Sequence, residues 1–169
     1  MKKPKQTFVY ALDISLSSTG VAIFTNNGKY VECSSIDTTK EKDLREKLVM
    51  IGKAYKECIK KYVPSIVIME QGFSKYNIST QMIFRCIGVT NYIFSKYEQV
   101  VIPSTTIKKL ITGKGNAKKQ EVRDFILKDY PNIKFQNFDE SDAYAVGLAF
   151  FIQTNVIKWD IGILGNEKK

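Results

Sequence analysis

At 169 residues with 44% hydrophobic content, the chain has enough apolar side chain for a core, which excludes wholesale disorder. No apolar run reaches about 18 residues without a charge, so no membrane-spanning helix is expected. Lys and Arg number 26 against 17 Asp and Glu, a formal charge of +9, which favours an anionic partner: DNA, RNA or an acidic membrane surface.

The sequence has no histidine. Ser-His-Asp and Cys-His triads, HExxH zinc sites and histidine general bases are therefore excluded. Chemistry must rest on carboxylates, lysines, hydroxyls or a metal held by oxygen. Cys33, Cys58 and Cys86 form no CxxC pair. They read as small buried residues of a reducing, intracellular (cytoplasmic) protein.

In chain order, MKKPKQTFVYALDIS reads as a basic leader and a strand over 7–14, not a signal peptide, because Asp13 cuts the apolar run. A second strand, GVAIFT, covers 20–25. Asn26-Asn27-Gly28 is a hairpin turn signal. KYVECSSID then completes a three-stranded antiparallel meander. From about Thr39 to Tyr62 the apolar stripe Leu44, Leu48, Ile51, Tyr55, Cys58 and Tyr62 predicts a helix that covers a sheet. After Pro64, SIVIME reads as a strand buried on both faces and ended by Glu70. A second helix spans about 78–97, with apolar residues on more than one face. It is either central or packed on a partner chain.

QVVI (99–102) is a fifth strand, and Pro103-Ser104-Thr105 opens a short helix. TGKGNAKK (112–119) is a basic glycine loop. The next helix carries Val122, Phe125, Ile126 and Tyr130 inward and stops at Pro131. A last helix runs from about Asp139 to Gln153. The order βββ-α-β-α-β-α-α-α predicts an α/β fold: a mixed five-stranded sheet with helices on both faces. One domain is expected over 1–169, with its core at about 7–155 and an unassigned tail at 156–169.

Three places carry carboxylates where burial is expected. Asp13 ends a strand whose Val9 and Ala11 share its face, and Glu70 ends the SIVIME strand. In FDESDAYAVGLAFFIQ, Asp139 and Asp142 project onto the stripe of Ala143, Val146 and Phe150, while Glu140 and Ser141 point elsewhere. An N-cap and a first-turn acid would explain one of that pair but not both facing inward. Clustered carboxylates repel one another, and divalent cations such as Mg²⁺ or Mn²⁺ relieve this while leaving sites for water and phosphate oxygens. Two ions about 4 Å apart suit phosphodiester cleavage. The expected metal-ligating and catalytic set is Asp13, Glu70, Asp139 and Asp142.

These residues resemble the RNase H-like nuclease superfamily and, within it, RuvC-type Holliday junction resolvases. Asp13, Leu16, Thr19 and Gly20 match the family's opening motif, although Ile14-Ser15 replaces its usual Pro-Gly, as in phage-type members. Glu70, Gln71 and Phe73 match the second motif, Gly113, Gly115, Ala117 and Lys119 the glycine loop, and Asp139, Asp142 and Ala143 the last. The resemblance spans roughly residues 8–153. It implies a five-stranded RNase H-like sheet, Mg²⁺- or Mn²⁺-dependent nicking of four-way DNA junctions, and a homodimer, with the 78–97 helix as candidate interface.

DNA contacts are expected from Lys108, Lys109, Lys114, Lys118, Lys119 and Arg123 around the glycine loop, and from Phe73, Lys75 and Tyr76 after Glu70. The small residues of the Asp13 turn are expected to let a phosphodiester come close. The competing readings are a fork, flap or RNA–DNA hybrid nuclease of the same fold, a DNA-binding module without catalysis, and one lobe of an actin-like ATPase.

Overall fold

The computed structural model describes residues 6–71 and 77–159. Among them run β1 (Phe8–Asp13), β2 (Ser18–Thr25), β3 (Tyr30–Asp37), α1 (Leu44–Lys61), β4 (Pro64–Glu70), α2 (Asn77–Ile93), β5 (Glu98–Ile102), α3 (Ser104–Thr112), α4 (Lys119–Asp129) and α5 (Phe138–Gln153). The sheet order is β3-β2-β1-β4-β5. β1–β2 and β2–β3 are antiparallel, whereas β1–β4 and β4–β5 are parallel. This is the mixed five-stranded sheet read from the sequence. The expected hairpin joins β2 to β3, with Gly28 at φ 83° and a Gly28 N–H to Thr25 O bond of 3.0 Å.

Strand alternation divides the core into two layers. Tyr10, Leu12, Val21, Ile23, Val67 and Met69 pack against Ile51 and Tyr55 of α1 and Cys86 of α2. Val9, Ala11, Ala22, Phe24, Ile68 and Ile102 pack against α3, α4 and, above all, α5. α5 is buried on almost every side. Glu140 is only 3% exposed and Ser141 is buried too, so they do not sit on an open face. Glu140 is tolerated because its Oε2 accepts the Gln136 N–H at 2.8 Å.

α1 begins five residues later than the periodicity suggests. Thr38 is tied to the β1–β2 turn through its hydroxyl to Leu16 O and its N–H to Ser17 O, and Asp43 then caps the helix by accepting from the Arg45 and Glu46 N–H groups. α2 stops at Ile93, and Phe94 turns back into the core. Cys86 is buried, while Cys33 and Cys58 are only partly so; all three are free thiols. The start of the unassigned tail is ordered: Ile157 lies over Gly28, and Trp159 donates Nε1–H to Ile111 O at 2.9 Å while stacking on Tyr130. No helix of the described residues is long and apolar enough to cross a membrane.

Asn137 fixes where α5 starts. Its Oδ1 accepts the Glu140 N–H at 3.0 Å, and its Nδ2 donates to Ser35 Oγ on β3 at 2.9 Å. Asn137→Ala is expected to cost about 1 kcal/mol and to lower Tm by about 2–4 °C. Thermal denaturation followed by circular dichroism measures this directly.

Candidate active site

The parallel pairing of β1 with β4 aligns Ala11 with Ile68 and Leu12 with Met69. One step further along, Asp13 and Glu70 end neighbouring strands. Alternation turns both toward α5, since Val9 and Ala11 on β1, and Ile66 and Ile68 on β4, pack in that layer. α5 brings Asp142 over the same strand ends. Two glycines permit the approach. A Cβ at Gly20 would stand 2.0 Å from the Asp139 carbonyl oxygen, and one at Gly147 would stand 2.3 Å from Phe24 Cε2. Thr19 and Gly20 thus lie buried inside β2 rather than on an open turn. Gly20 is small to admit a helix, which corrects the expectation that it is small to admit a phosphodiester.

Asp13, Glu70 and Asp142 line one pocket of about 100 Å³ together with Ser104, Ile107, Lys108, Lys119, Val122 and Ala145. The apolar members come from α3, α4 and α5, and they keep water off the carboxylates. Burial, followed by repulsion from Asp142 and Glu70, pushes the Asp13 carboxyl up from 3.8 to about 7. The Lys119 cation pulls the other way, and Asp139 adds to the rise. Burial likewise raises Asp142, against the pull of its ion pair with Lys119 and of Lys108. For Lys119, burial works to lower its pKa, but the Asp142 pair and the field of Asp13 and Glu70 outweigh it and hold the ammonium charged.

The expected residues divide as follows. Asp139 does not line the pocket. It sits partly buried in the first turn of α5, close enough to bear on Asp13 and Asp142 through space. Lys108 and Lys119 point inward to the acids, whereas Lys109 lines a separate hollow with Thr105, Thr106, Leu110 and Gly115. Lys114 and Lys118 are exposed, and the Lys118 N–H bonds Glu121 at the start of α4. Arg123, expected on DNA, is engaged internally. It donates to Phe135 O at 3.0 Å and lies over the rings of Phe135 and Phe138. Phe73, Lys75 and Tyr76 lie outside the described residues. Of the loop glycines, Gly113 ends α3 at φ 78° and Gly115 packs on Thr105 O, so both have structural work beyond any phosphate contact. Ser104 was missed. Its signal was its place directly after β5, whose end lies beside that of β4.

A family model described as crossover junction endodeoxyribonuclease RuvC matches residues 9–150. The chain belongs to the RuvC family. Among curated relatives, the RuvC protein of Prochlorococcus marinus (strain MIT 9211) is 25% identical over 89% of this chain and 99% of its own length. That of Rickettsia typhi (strain ATCC VR-144 / Wilmington) is 27% identical over 82% and 92%. Among solved structures, Thermus thermophilus RuvC superposes with a TM-score of 0.74 at 17% identity, covering 89% of this chain and 98% of that one. The same protein in complex with a Holliday junction substrate gives 0.74 at 15% identity, covering 89% and 97%. The fold of this RuvC-family chain is accordingly the RNase H-like α/β architecture.

The donor set fits a divalent cation in chemistry. Three carboxylates meet in one partly dry pocket, and the cation that answers them is an ammonium, Lys119, paired with Asp142. Among the described residues, no three acidic or other ligating side chains stand close enough to hold one ion as they are placed. The acids repel one another, as the rise of Asp13 shows, and Lys119 supplies a countercharge.

Proposed function

We propose that this RuvC-family chain is an endodeoxyribonuclease that resolves four-way DNA junctions by paired, metal-dependent hydrolysis of phosphodiester bonds, acting as a homodimer. The observation that carries this is the pocket itself. Carboxylates from two parallel strand ends and one helix share it with two lysines, in a chain of formal charge +9. Asp13, Glu70 and Asp142 would hold Mg²⁺ or Mn²⁺, one ion or two, with Asp139 at the rim. A bound ion supplies charge to the phosphodiester oxygens and acidifies a water beside it.

The remaining work falls to the chain's own groups. Lys119 balances the acids before substrate arrives, and the same ammonium suits a non-bridging phosphate oxygen. Lys108, one helical turn after Ser104 on α3, offers a second cation at the opening. The apolar floor of Ile107, Val122 and Ala145 excludes bulk water and strengthens each of these interactions.

The described residues hold one such carboxylate pocket, and two symmetric nicks require two. α2 supports pairing of chains. One side packs on α1, with Val89 against Gly52. The other leaves Phe84 at 59% and Tyr92 at 76% exposure, flanking Gly88. A Cβ at Gly88 meets nothing within 4 Å, so a large residue there leaves the protomer's own packing alone. Gly88→Arg is expected to keep the wild-type circular dichroism spectrum and to sediment as a monomer. Its paired nicks should fall at least tenfold.

The direct test of the activity is incubation of labelled four-way junction, fork, flap, linear duplex and RNA–DNA hybrid with Mg²⁺. Paired symmetric nicks in the junction, abolished by EDTA, are the expected result. Cutting confined to the hybrid would overturn the junction reading.

A further inference from the structure

α4 and α5 meet through two cationic contacts that stand one helical turn apart. Lys119 and Arg123 are four residues apart on α4, and Phe138 and Asp142 are four apart on α5, so each pair shares one side of its helix. Lys119 pairs with Asp142. Arg123 lies over the Phe138 ring, its guanidinium carbon 5.3 Å from the ring centre. The same guanidinium donates to Phe135 O at 3.0 Å and stands 5.8 Å from the Phe135 ring centre. The two contacts run in opposite chain directions. They make the helices antiparallel here and match one turn of α4 to one turn of α5.

Apolar packing alone would not fix that match. Val122 and Ile126 of α4 are buried in the layer that holds α5, but apolar burial is non-directional and tolerates a small slide or roll of a helix. A planar guanidinium bonded to one carbonyl and set against two rings tolerates much less. Among the described residues no carboxylate forms an ion pair with Arg123, so its partners are rings and main chain. The pairing also accounts for Phe138. At 41% exposure its ring gains little from burial, yet it stands at the first position of α5, against the cation.

We propose that Arg123 is a positioning residue for cleavage: seated on Phe135 and Phe138, it sets the register of α4 against the first turn of α5 and so holds the Lys119 ammonium at Asp142. This rests on the metal-dependent nuclease reading above. It gives Arg123 a task inside the protein in place of the phosphate contact expected from its charge.

The test compares Arg123→Met, Arg123→Lys and Phe138→Leu. Met keeps the apolar stem and loses the cation. Lys keeps the charge and loses the planar fork. Leu removes the ring from the other helix and leaves Arg123 itself intact. Circular dichroism checks that each variant is folded at the assay temperature. The Lys119 ammonium is probed without DNA or metal, by competitive acetylation read in a mass spectrometer, with the exposed Lys114 as internal standard. All three variants should raise Lys119 labelling about two- to fivefold relative to Lys114, the factor that loss of a partly exposed ion pair implies. Single-turnover cleavage should slow about tenfold. Junction affinity in EDTA, and its salt dependence, should stay at the wild-type values, because no phosphate contact is lost. In a Lys119→Ala background Arg123→Met should slow cleavage no further, a result that general loosening of the fold would not give. Unchanged Lys119 labelling in Arg123→Met and Phe138→Leu would overturn the proposal, as would an undiminished loss in the Lys119→Ala background. So would a weaker junction affinity with a shallower salt slope in Arg123→Met that Arg123→Lys restores, which would return Arg123 to the DNA. If the wild-type protein cuts no branched DNA, the proposed function fails instead, and Lys119 labelling still decides the role of Arg123.

Discussion

Asp13→Asn is expected to abolish cleavage and, at the same time, to make the metal-free protein harder to unfold at pH 8. The Asp13 carboxyl is raised from 3.8 to about 7 by burial and by its acidic neighbours. Between those values the folded state binds a proton that the unfolded state releases, so stability falls as pH rises through that window. The cost is absent below about pH 4 and complete above about pH 7. At about 1.4 kcal/mol per pH unit it is at most on the order of 4 kcal/mol, and side-chain relaxation and water reduce it. Asparagine carries no charge and avoids it. A gain of about 2 kcal/mol, or roughly 4–8 °C in Tm, is expected at pH 8, vanishing at pH 4.

Divalent cations should reverse the ranking. Mn²⁺ should raise the Tm of the wild-type protein, because it binds the folded state, and leave Asp13→Asn nearly unmoved. Cleavage should drop about a thousandfold or more, the order that several kcal/mol of lost charge stabilisation implies. Denaturation scans at the two pH values, with and without Mn²⁺, measure all of this. A Tm at pH 8 below wild type would mean that the carboxylate is under no strain, and wild-type cutting would remove Asp13 from the site.

The second large effect is expected at Gly20. A Cβ there would lie 2.0 Å from the Asp139 carbonyl oxygen, 2.7 Å from its carbon and 3.0 Å from Ala143 Cβ. The first two are main-chain atoms, so no rotamer can relieve the clash. α5 must lift from β2, and with it the turn that presents Asp142. Gly20→Ala is expected to cost about 3 kcal/mol, the upper end of overpacking, and to lower Tm by about 6–12 °C. Displacement of Asp142 by about an ångström should slow cleavage about a hundredfold in the protein that remains folded. Gly88→Ala, where nothing lies nearby, supplies the contrast: no loss of stability and an intact pocket. If Gly20→Ala matched it, the close seating of α5 would be refuted.

Much of this site was legible before any coordinates. Alternation along FVYALD put Asp13 on the face of Val9 and Ala11, and SIVIME ended on Glu70; that the two acids share a face came from the parallel pairing of β1 with β4. The i, i+3 spacing of Asp139 and Asp142 was weaker information. It named the correct helix but not which acid enters the pocket, because that depends on where α5 starts relative to β2. Asn137 and Gly20 decide it together. Charge counting was weaker still, since a net charge does not say which cationic side chains are taken up by partners within the protein. Arg123 holds Phe135 and Phe138 in place, and Lys119 turns to Asp142. The glycines misled for a related reason. Glycine marks a close approach, and sequence does not say whether the approaching group is a phosphate or the protein's own main chain.

The segment just beyond α5 has a practical consequence. Trp159 is the chain's single tryptophan. Its ring lies 6.0 Å from that of Tyr130 at the end of α4, and its indole N–H is bonded to Ile111 in the last turn of α3. Those two helices bring Lys108 and Lys119 to the acidic pocket. Fluorescence excited selectively in this indole is therefore a built-in optical gauge of whether α3 and α4 keep their spacing, readable without labels on DNA or protein.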